Sequence, residues 1–216
     1  MTIAKHRLAT VRAVRTTLTY TAPAFAAATA PTAVPTTDGR SLVVRGALES
    51  DLTDLMAMHA RCSRRTLLGR YLTGTRPPPR RLARRLLETD IALVVCSPTE
   101  SVVGLGNLAA ADEDPHVAEL AVVVEDGWQG RGVGTAVVRQ LVAGARLAGF
   151  DEVVTIAPTV GGWTQQALAR LGTPLLQRTP FGEAVVRLTL APHHVGLLGR
   201  PVTQVPRVAV SRPGVA

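Results

Sequence analysis

Apolar positions along this chain alternate between two spacings, and the switches between them divide it into elements. "SLVVRGAL" (41–48) carries β-branched residues and predicts a short strand. "ESDLTDLMAMHARCSRRTLLGRYL" then predicts one helix, with Ser50 as its N-cap and Leu52, Leu55, Met56 and His59 on a common face. "TGTRPPP" (73–79) interrupts it, and "RRLARRLLE" (80–88) predicts a second helical piece with its leucines on one side. Three strands follow, "IALVVC" (91–96), "SVVGLGNLAA" (101–110) and "VAELAVVV" (117–124), separated by turn-forming "SPTE" and "ADEDPH". After a glycine-rich stretch, "TAVVRQLVAGARLAG" (135–149) returns to helical spacing and stops at Gly149. "EVVTIAP" predicts a strand and "TQQALARLG" a short helix; "LLQRT" and "GEAVVRLTL" (182–190) predict two final strands. Residues 1–38, rich in Thr, Ala and Pro, read as a flexible leader, and residues 191–216, with scattered Pro and Gly, as a flexible tail. Residues 39–190 form the expected domain, of α+β class: a mixed sheet flanked by helices.

Composition adds limits to this picture. At 216 residues the chain can bury one core, which low aromatic content leaves to Val, Leu and Ala. No apolar run approaches the roughly 20 residues that span a bilayer, so no membrane association is expected. The basic, then small and apolar start hints at an export signal, but Arg12 and Arg15 cut into its apolar region and Pro23 follows. Cys62 and Cys96 have no metal-ligand neighbours and read as reduced core thiols, consistent with a cytoplasmic protein that needs no metal. His193 and His194 lie in the tail without a third ligand.

Charge changes the picture more. Between Leu55 and Leu87 there are nine arginines and no acidic residue: a basic segment from Arg61 to Arg85. The whole chain is +8, and the remainder holds 15 basic against 16 acidic residues, a net −1. A genome rich in G and C would favour arginine over lysine (Lys5 is the only lysine), but it does not explain the clustering.

The stretch before the long helix is "GWQGRGVG", Gly127 to Gly134. A P-loop needs Gly-Lys-Ser/Thr, and there is no lysine here. The dinucleotide fingerprint G-x-G-x-x-G/A fails from both starts, reaching Thr135 from Gly130 and Val137 from Gly132. Gln129-Gly130-Arg131-Gly132-Val133-Gly134, between a strand and a helix, resembles the Q/R-x-x-G-x-G/A motif of the GCN5-related N-acetyltransferases, the GNAT family. The resemblance spans roughly residues 41 to 190, since the order of elements is also that family's. It implies a central, mixed, mostly antiparallel sheet flanked by helices and acetyl-CoA as co-substrate. Helix-start amides without intrahelical partners and the positive end of the helix dipole suit a pyrophosphate. The implied donors are the amides from Gln129 to Thr135, centred on Gly130, Gly132 and Gly134 and including Val133, with Arg131 adding a charged contact. By the resemblance alone, Val122 and Val124 offer backbone groups to the pantetheine arm.

Acetylating an amine requires the nitrogen uncharged, although a lysine amine titrates near 10. Glu119 stands alone in an apolar strand, on the side of Ala121 and Val123, and a glutamate on this strand is the general base in several GNAT enzymes. The alternatives for Glu119 are a structural ion pair with one of the arginines and simple exposure. The family's asparagine and tyrosine positions fall on Gly161 and Leu168, neither able to serve, and Tyr71 is a substitute candidate for the acid. The expected function is N-acetyl transfer to a primary amine of a protein or small molecule by direct attack. A non-catalytic acyl-CoA-binding module stands as the alternative. The basic segment would attract an acidic partner. Nucleic acid is not expected, because few aromatics are available for stacking. Association of two copies stays open.

Overall fold

The computed structural model describes residues 22–72, 77–112, 114–158, 162–180 and 182–190. Its elements in chain order are α1 (Ala22–Thr29), β1 (Thr32–Pro35), β2 (Ser41–Gly46), α2 (Leu52–Arg61), α3 (Arg64–Tyr71), α4 (Arg80–Leu87), β3 (Ile91–Cys96), β4 (Val102–Ala110), β5 (Val117–Val124), α5 (Val133–Leu147), β6 (Glu152–Ala157), α6 (Trp163–Ala169), β7 (Leu175–Arg178) and β8 (Ala184–Thr189). The strands make one sheet in the order β1-β2-β3-β4-β5-β6-β8-β7. All pairings are antiparallel except β5 with β6, so the sheet is mixed and mostly antiparallel as expected.

Helices cover both faces, which is why β3 is buried at every position and lacks an alternating pattern. One core lies under α1, α5 and α6. There Val137, Val138, Leu141 and Val142 of α5 meet Leu120, Val122 and Val124 of β5. The second lies under α2, α3 and α4, where Leu55, Met58, Leu67 and Leu86 meet Leu105 and Val123. Burying each of these leucines fully contributes roughly 1.5–3 kcal/mol. Neighbouring positions on β5 thus serve opposite cores, and Glu119 falls in the row of Val123, beneath the α2–α4 layer. Among the described residues, no helix is long and apolar enough to cross a membrane.

Three expectations about elements change. The single helix predicted from residue 49 is two: Cys62 is extended, and the Ser63 hydroxyl accepts a bond from the Thr66 amide to start α3. Ser50 is not an N-cap; it sits in a 3₁₀ turn (Glu49–Asp51). Asp51 organises that turn by accepting from the Leu48 amide at 2.7 Å and from both Arg45 nitrogens at 2.7 and 2.8 Å. Within the stretch read as a flexible leader, α1 packs on α5 and β1 extends the sheet edge. Gln140 holds α1 by donating to the carbonyls of Ala28 and Ala30. The packed body therefore starts at α1, before residue 39. Residues 1–21 and the expected tail, 191–216, lie outside the described residues.

Candidate acetyl-coenzyme A and acceptor site

The glycine stretch lies where β5 ends and α5 begins. After a 3₁₀ turn (Asp126–Trp128), Gly130 and Gly132 take left-handed φ values of 69° and 86°, a conformation that side chains disfavour. Gly132 is the residue before the helix and offers no side-chain cap. The amides of Val133, Gly134 and Thr135 belong to the turn that has no intrahelical acceptors. No atom lies within 4 Å of where a Cβ on Gly130 or Gly132 would stand, so their outer side is open to a ligand. Gly134 differs: its missing side chain makes room for the Trp163 ring, which would lie 2.8 Å from a Cβ there.

Two polar side chains of the motif are engaged with protein. Arg131, expected to face the ligand, donates from Nε to the Gly127 carbonyl and pairs through Nη1 with Asp38 in the β1–β2 turn. Its charge is thereby partly spent on a carboxylate that also holds Arg40. Gln129 donates from Nε2 to the Val124 carbonyl at 2.8 Å and to Thr66 Oγ1 at 2.9 Å, spanning from the loop to α3.

A gap leads away from this loop. β5 and β6 pair only from Val117–Glu152 to Glu119–Val154, while β6 continues along β8 to Ala157. Val122 and Val124, the positions named for the pantetheine arm, lie beyond the last parallel pair, and the Val124 carbonyl is taken by Gln129. At the inner end of the gap, where the pairing stops, stands half-buried Glu119. The sequence held no signal of this divergence, since valine runs suit paired and unpaired strands alike.

Around Glu119 the helical layer assembles a polar cluster that sequence reasoning missed. Arg70 of α3 is 7% exposed and donates from Nη2 to Asn107 Oδ1 on β4 at 3.0 Å. Its Nε and Nη1 are buried without a hydrogen-bond partner. Asn107 donates in turn to the Leu86 carbonyl at 2.6 Å and to Thr89 Oγ1, tying the end of α4 to the sheet. Asn107 opposes Ala121, two residues from Glu119 on the same face of β5. Burial pulls the Arg70 guanidinium below its usual range, and the Tyr71 and Glu119 acids push back. Glu119 thus takes part in the charge balance of this cluster, whatever else it does.

His59 and Tyr71 complete the cluster. A carbonyl only accepts, so His59 Nδ1 donates to the Leu55 oxygen at 2.8 Å, and Nε2 accepts from the Tyr71 hydroxyl at 2.6 Å. Burial, with the Arg70 charge, pushes His59 down to about 4, and burial pushes Tyr71 up to about 12. Tyr71, the substitute candidate for the acid, is thus half-buried with its hydroxyl against His59. Leu168 is fully buried in the core under α6, while Gly161 lies outside the described residues. Both cysteines are free and buried, and burial raises the Cys62 thiol to about 12, which keeps it protonated.

His59 makes stability depend on pH. The unfolded ring takes its proton near 6.5, the folded one only near 4, so its contribution is complete above pH 6.5 and is lost as pH falls towards 4. The expected loss across that window is about 3 kcal/mol. Urea unfolding at stepped pH checks this; His59→Gln should flatten the slope, and an unchanged slope would place its origin elsewhere.

The other end of α3 is held as firmly. Asp126, just after β5, accepts from the Ser63 amide at 2.8 Å, the Ser63 hydroxyl at 2.6 Å and the Thr66 hydroxyl at 2.9 Å. Burial works against that carboxyl, but these donors outweigh it and hold it below the usual carboxylate range. Arg61 adds a two-pronged pair with Glu125 at 2.9 and 3.0 Å. One helix therefore runs from the glycine loop to the Glu119 cluster and is anchored at both.

Comparison with known proteins agrees with this fold. Residues 57–172, more than half of the chain, match the Acetyltransferase (GNAT) family. The GNAT domain of PAT from S. lividans superposes with a TM-score of 0.65 at 18% identity, covering 74% of this chain and 97% of that one. A phosphinothricin acetyltransferase from Sinorhizobium meliloti, solved in complex with acetyl-CoA, gives 0.59 at 17% identity, with 77% and 94% covered. A Salmonella typhimurium protein solved with its cofactor acetyl-CoA gives 0.56 at 22% identity, with 71% and 96% covered. At these identities the structures speak to the fold, and the family match speaks to descent. The chain belongs to the GNAT acetyltransferase family.

Proposed function

We propose that the protein transfers the acetyl group of acetyl-CoA to a primary amine by direct attack, with Glu119 as the general base. The observation that carries this reading is the end of the β5–β6 pairing at half-buried Glu119, with β5 running on unpaired with β6 towards the loop of open Gly130 and Gly132. The helix-start amides from Gly130 to Thr135 hold the pyrophosphate. The backbone at Val122 and Val124 lines the arm, and the thioester comes to rest near the end of the strand pairing. The acceptor nitrogen forms its bond to the acetyl carbon as the carbon–sulfur bond breaks. Its proton passes to the Glu119 carboxylate, directly or through water. A thiol has a reference pKa near 8.5, so the thiolate can leave unaided where the usual tyrosine position is Leu168.

Leu168 also favours a second reading, a GNAT domain that binds acyl-CoA without turnover. Calorimetry with acetyl-CoA, followed by an acetyl-transfer screen over small amines and peptides, separates the two. Binding with turnover is the expected result. Binding without turnover across a broad panel selects the module, and absence of binding overturns both.

A further inference from the structure

The structure sorts the nine clustered arginines. Arg61 is paired with Glu125, Arg70 is buried, Arg84 is paired with Glu49, and Arg76 lies outside the described residues. Among the described residues, Arg64, Arg65, Arg80, Arg81 and Arg85 are exposed and make no ion pair. Three of these five lie on α4, whose sequence RRLARRLL divides cleanly. Ala83 and Leu86 are buried, Leu82 and Leu87 are half-buried, and all four arginines face out.

Arg84 and Arg85 have a local reason, since the last turn favours a cation and Arg84 pairs with Glu49; Arg80 and Arg81 have none. Arg80 with Arg84 and Arg81 with Arg85 are like charges four apart, an arrangement that weakens a helix. Arg80 and Arg81 also sit in the first turn, where the dipole is already positive, with no acidic residue there and no side-chain cap. A merely solvated face would mix signs. A compositional preference for arginine explains the choice over lysine, but not the absence of glutamate and aspartate.

The place of α4 gives the face a use. Leu86, near its end, accepts from Asn107, which also accepts from Arg70 beside Glu119. α4 itself packs on α2 and β3, and its last turn joins the Glu119 cluster through Asn107 of β4.

We propose that the arginine face of α4 docks an acidic segment of a protein acceptor, so that the amine offered to Glu119 lies in an acidic sequence context. This rests on the acetyl-transfer reading for the fate of that amine, though not for the docking itself. A protein segment suits the face better than a nucleic acid does. The arginines of α4 span about 8 Å of helix, short for tracking a phosphate backbone, and the chain outside the basic segment is net −1.

The test uses the full chain and a fluorescent peptide with one lysine flanked by glutamates, beside its glutamine counterpart. The variant is Arg80→Ser, Arg81→Ser and Arg85→Ser together; Arg84 is left in place because it pairs with Glu49. Wild type should bind the glutamate peptide in anisotropy titrations, more weakly as salt is raised. The variant should bind it about tenfold more weakly, with unchanged affinity for acetyl-CoA and for the glutamine peptide. With turnover, the same loss should fall on KM, leaving kcat unaffected. Equal affinity of wild type for both peptides overturns the proposal, and so does a variant that weakens both peptides alike. Duplex DNA binding at physiological salt that the variant loses, without peptide preference, overturns it in favour of nucleic acid. Retained, charge-dependent peptide binding without acetylation sinks the transfer reading and leaves the docking proposal standing.

Discussion

Gly132→Glu is expected to abolish measurable coenzyme binding while leaving the protein folded. Gly132 is left-handed, with φ at 86°, and a side chain there is strained by roughly 1–2 kcal/mol. The space beside it is empty, so the new side chain meets no protein atom and the core is not asked to move. Its carboxylate instead occupies the side from which a pyrophosphate must approach the Val133, Gly134 and Thr135 amides. At about 4 Å and an effective dielectric near 20, one such repulsion is about 4 kcal/mol, roughly a thousandfold in Kd. Gly132→Ala supplies strain without charge and should lose far less. Calorimetry with acetyl-CoA, alongside thermal melts of all three proteins, measures both effects. Near-native affinity in the glutamate variant would remove the glycine loop from the coenzyme site.

Glu119→Gln should lower kcat by about 10²–10⁴-fold, the usual span for a lost general base, with little change in KM for acetyl-CoA. The remaining rate should climb with pH towards the acceptor's own pKa, since only the neutral amine can then react. The change also removes a negative charge that supports buried Arg70, so some stability should be lost. Folding is therefore measured in parallel, and rates are compared where the variant is fully folded. A variant that loses stability and keeps its rate would reduce Glu119 to a structural counter-charge for Arg70.

How much of this was legible depended on how local each cause was. β3 and β5 begin and end where their apolar runs do, because a strand buried on both faces needs nothing else to declare it. The glycine loop was legible for the same reason: six consecutive residues carry it. The break between α2 and α3 was not, because the carboxylate that holds Ser63 comes from Asp126, far along the chain. α1 was hidden by an alanine-rich sequence with almost no amphipathic contrast, and its burial against α5 is decided by tertiary contact. At the site, Glu119 stood out as a lone carboxylate in an apolar strand. Arg70 did not stand out among nine arginines, although it falls three residues after inward-facing Leu67, on the same side of α3. Asn107, His59 and Tyr71 join Arg70 only once three separate segments fold together. Gly134 carried the motif's spacing, but the pressure of Trp163 on it is visible only in three dimensions.

The double anchoring of α3 has a thermodynamic consequence. Asp126 grips its first turn beside the coenzyme loop, and Asn107 grips Arg70 near its last. On the proposed reading the helix joins the donor end to the acceptor end, and any factor by which donor tightens acceptor must equal the factor by which acceptor tightens donor. Freeing its first turn with Asp126→Ala should bring that factor towards one while both ligands still bind, and an unchanged factor would remove α3 from the coupling.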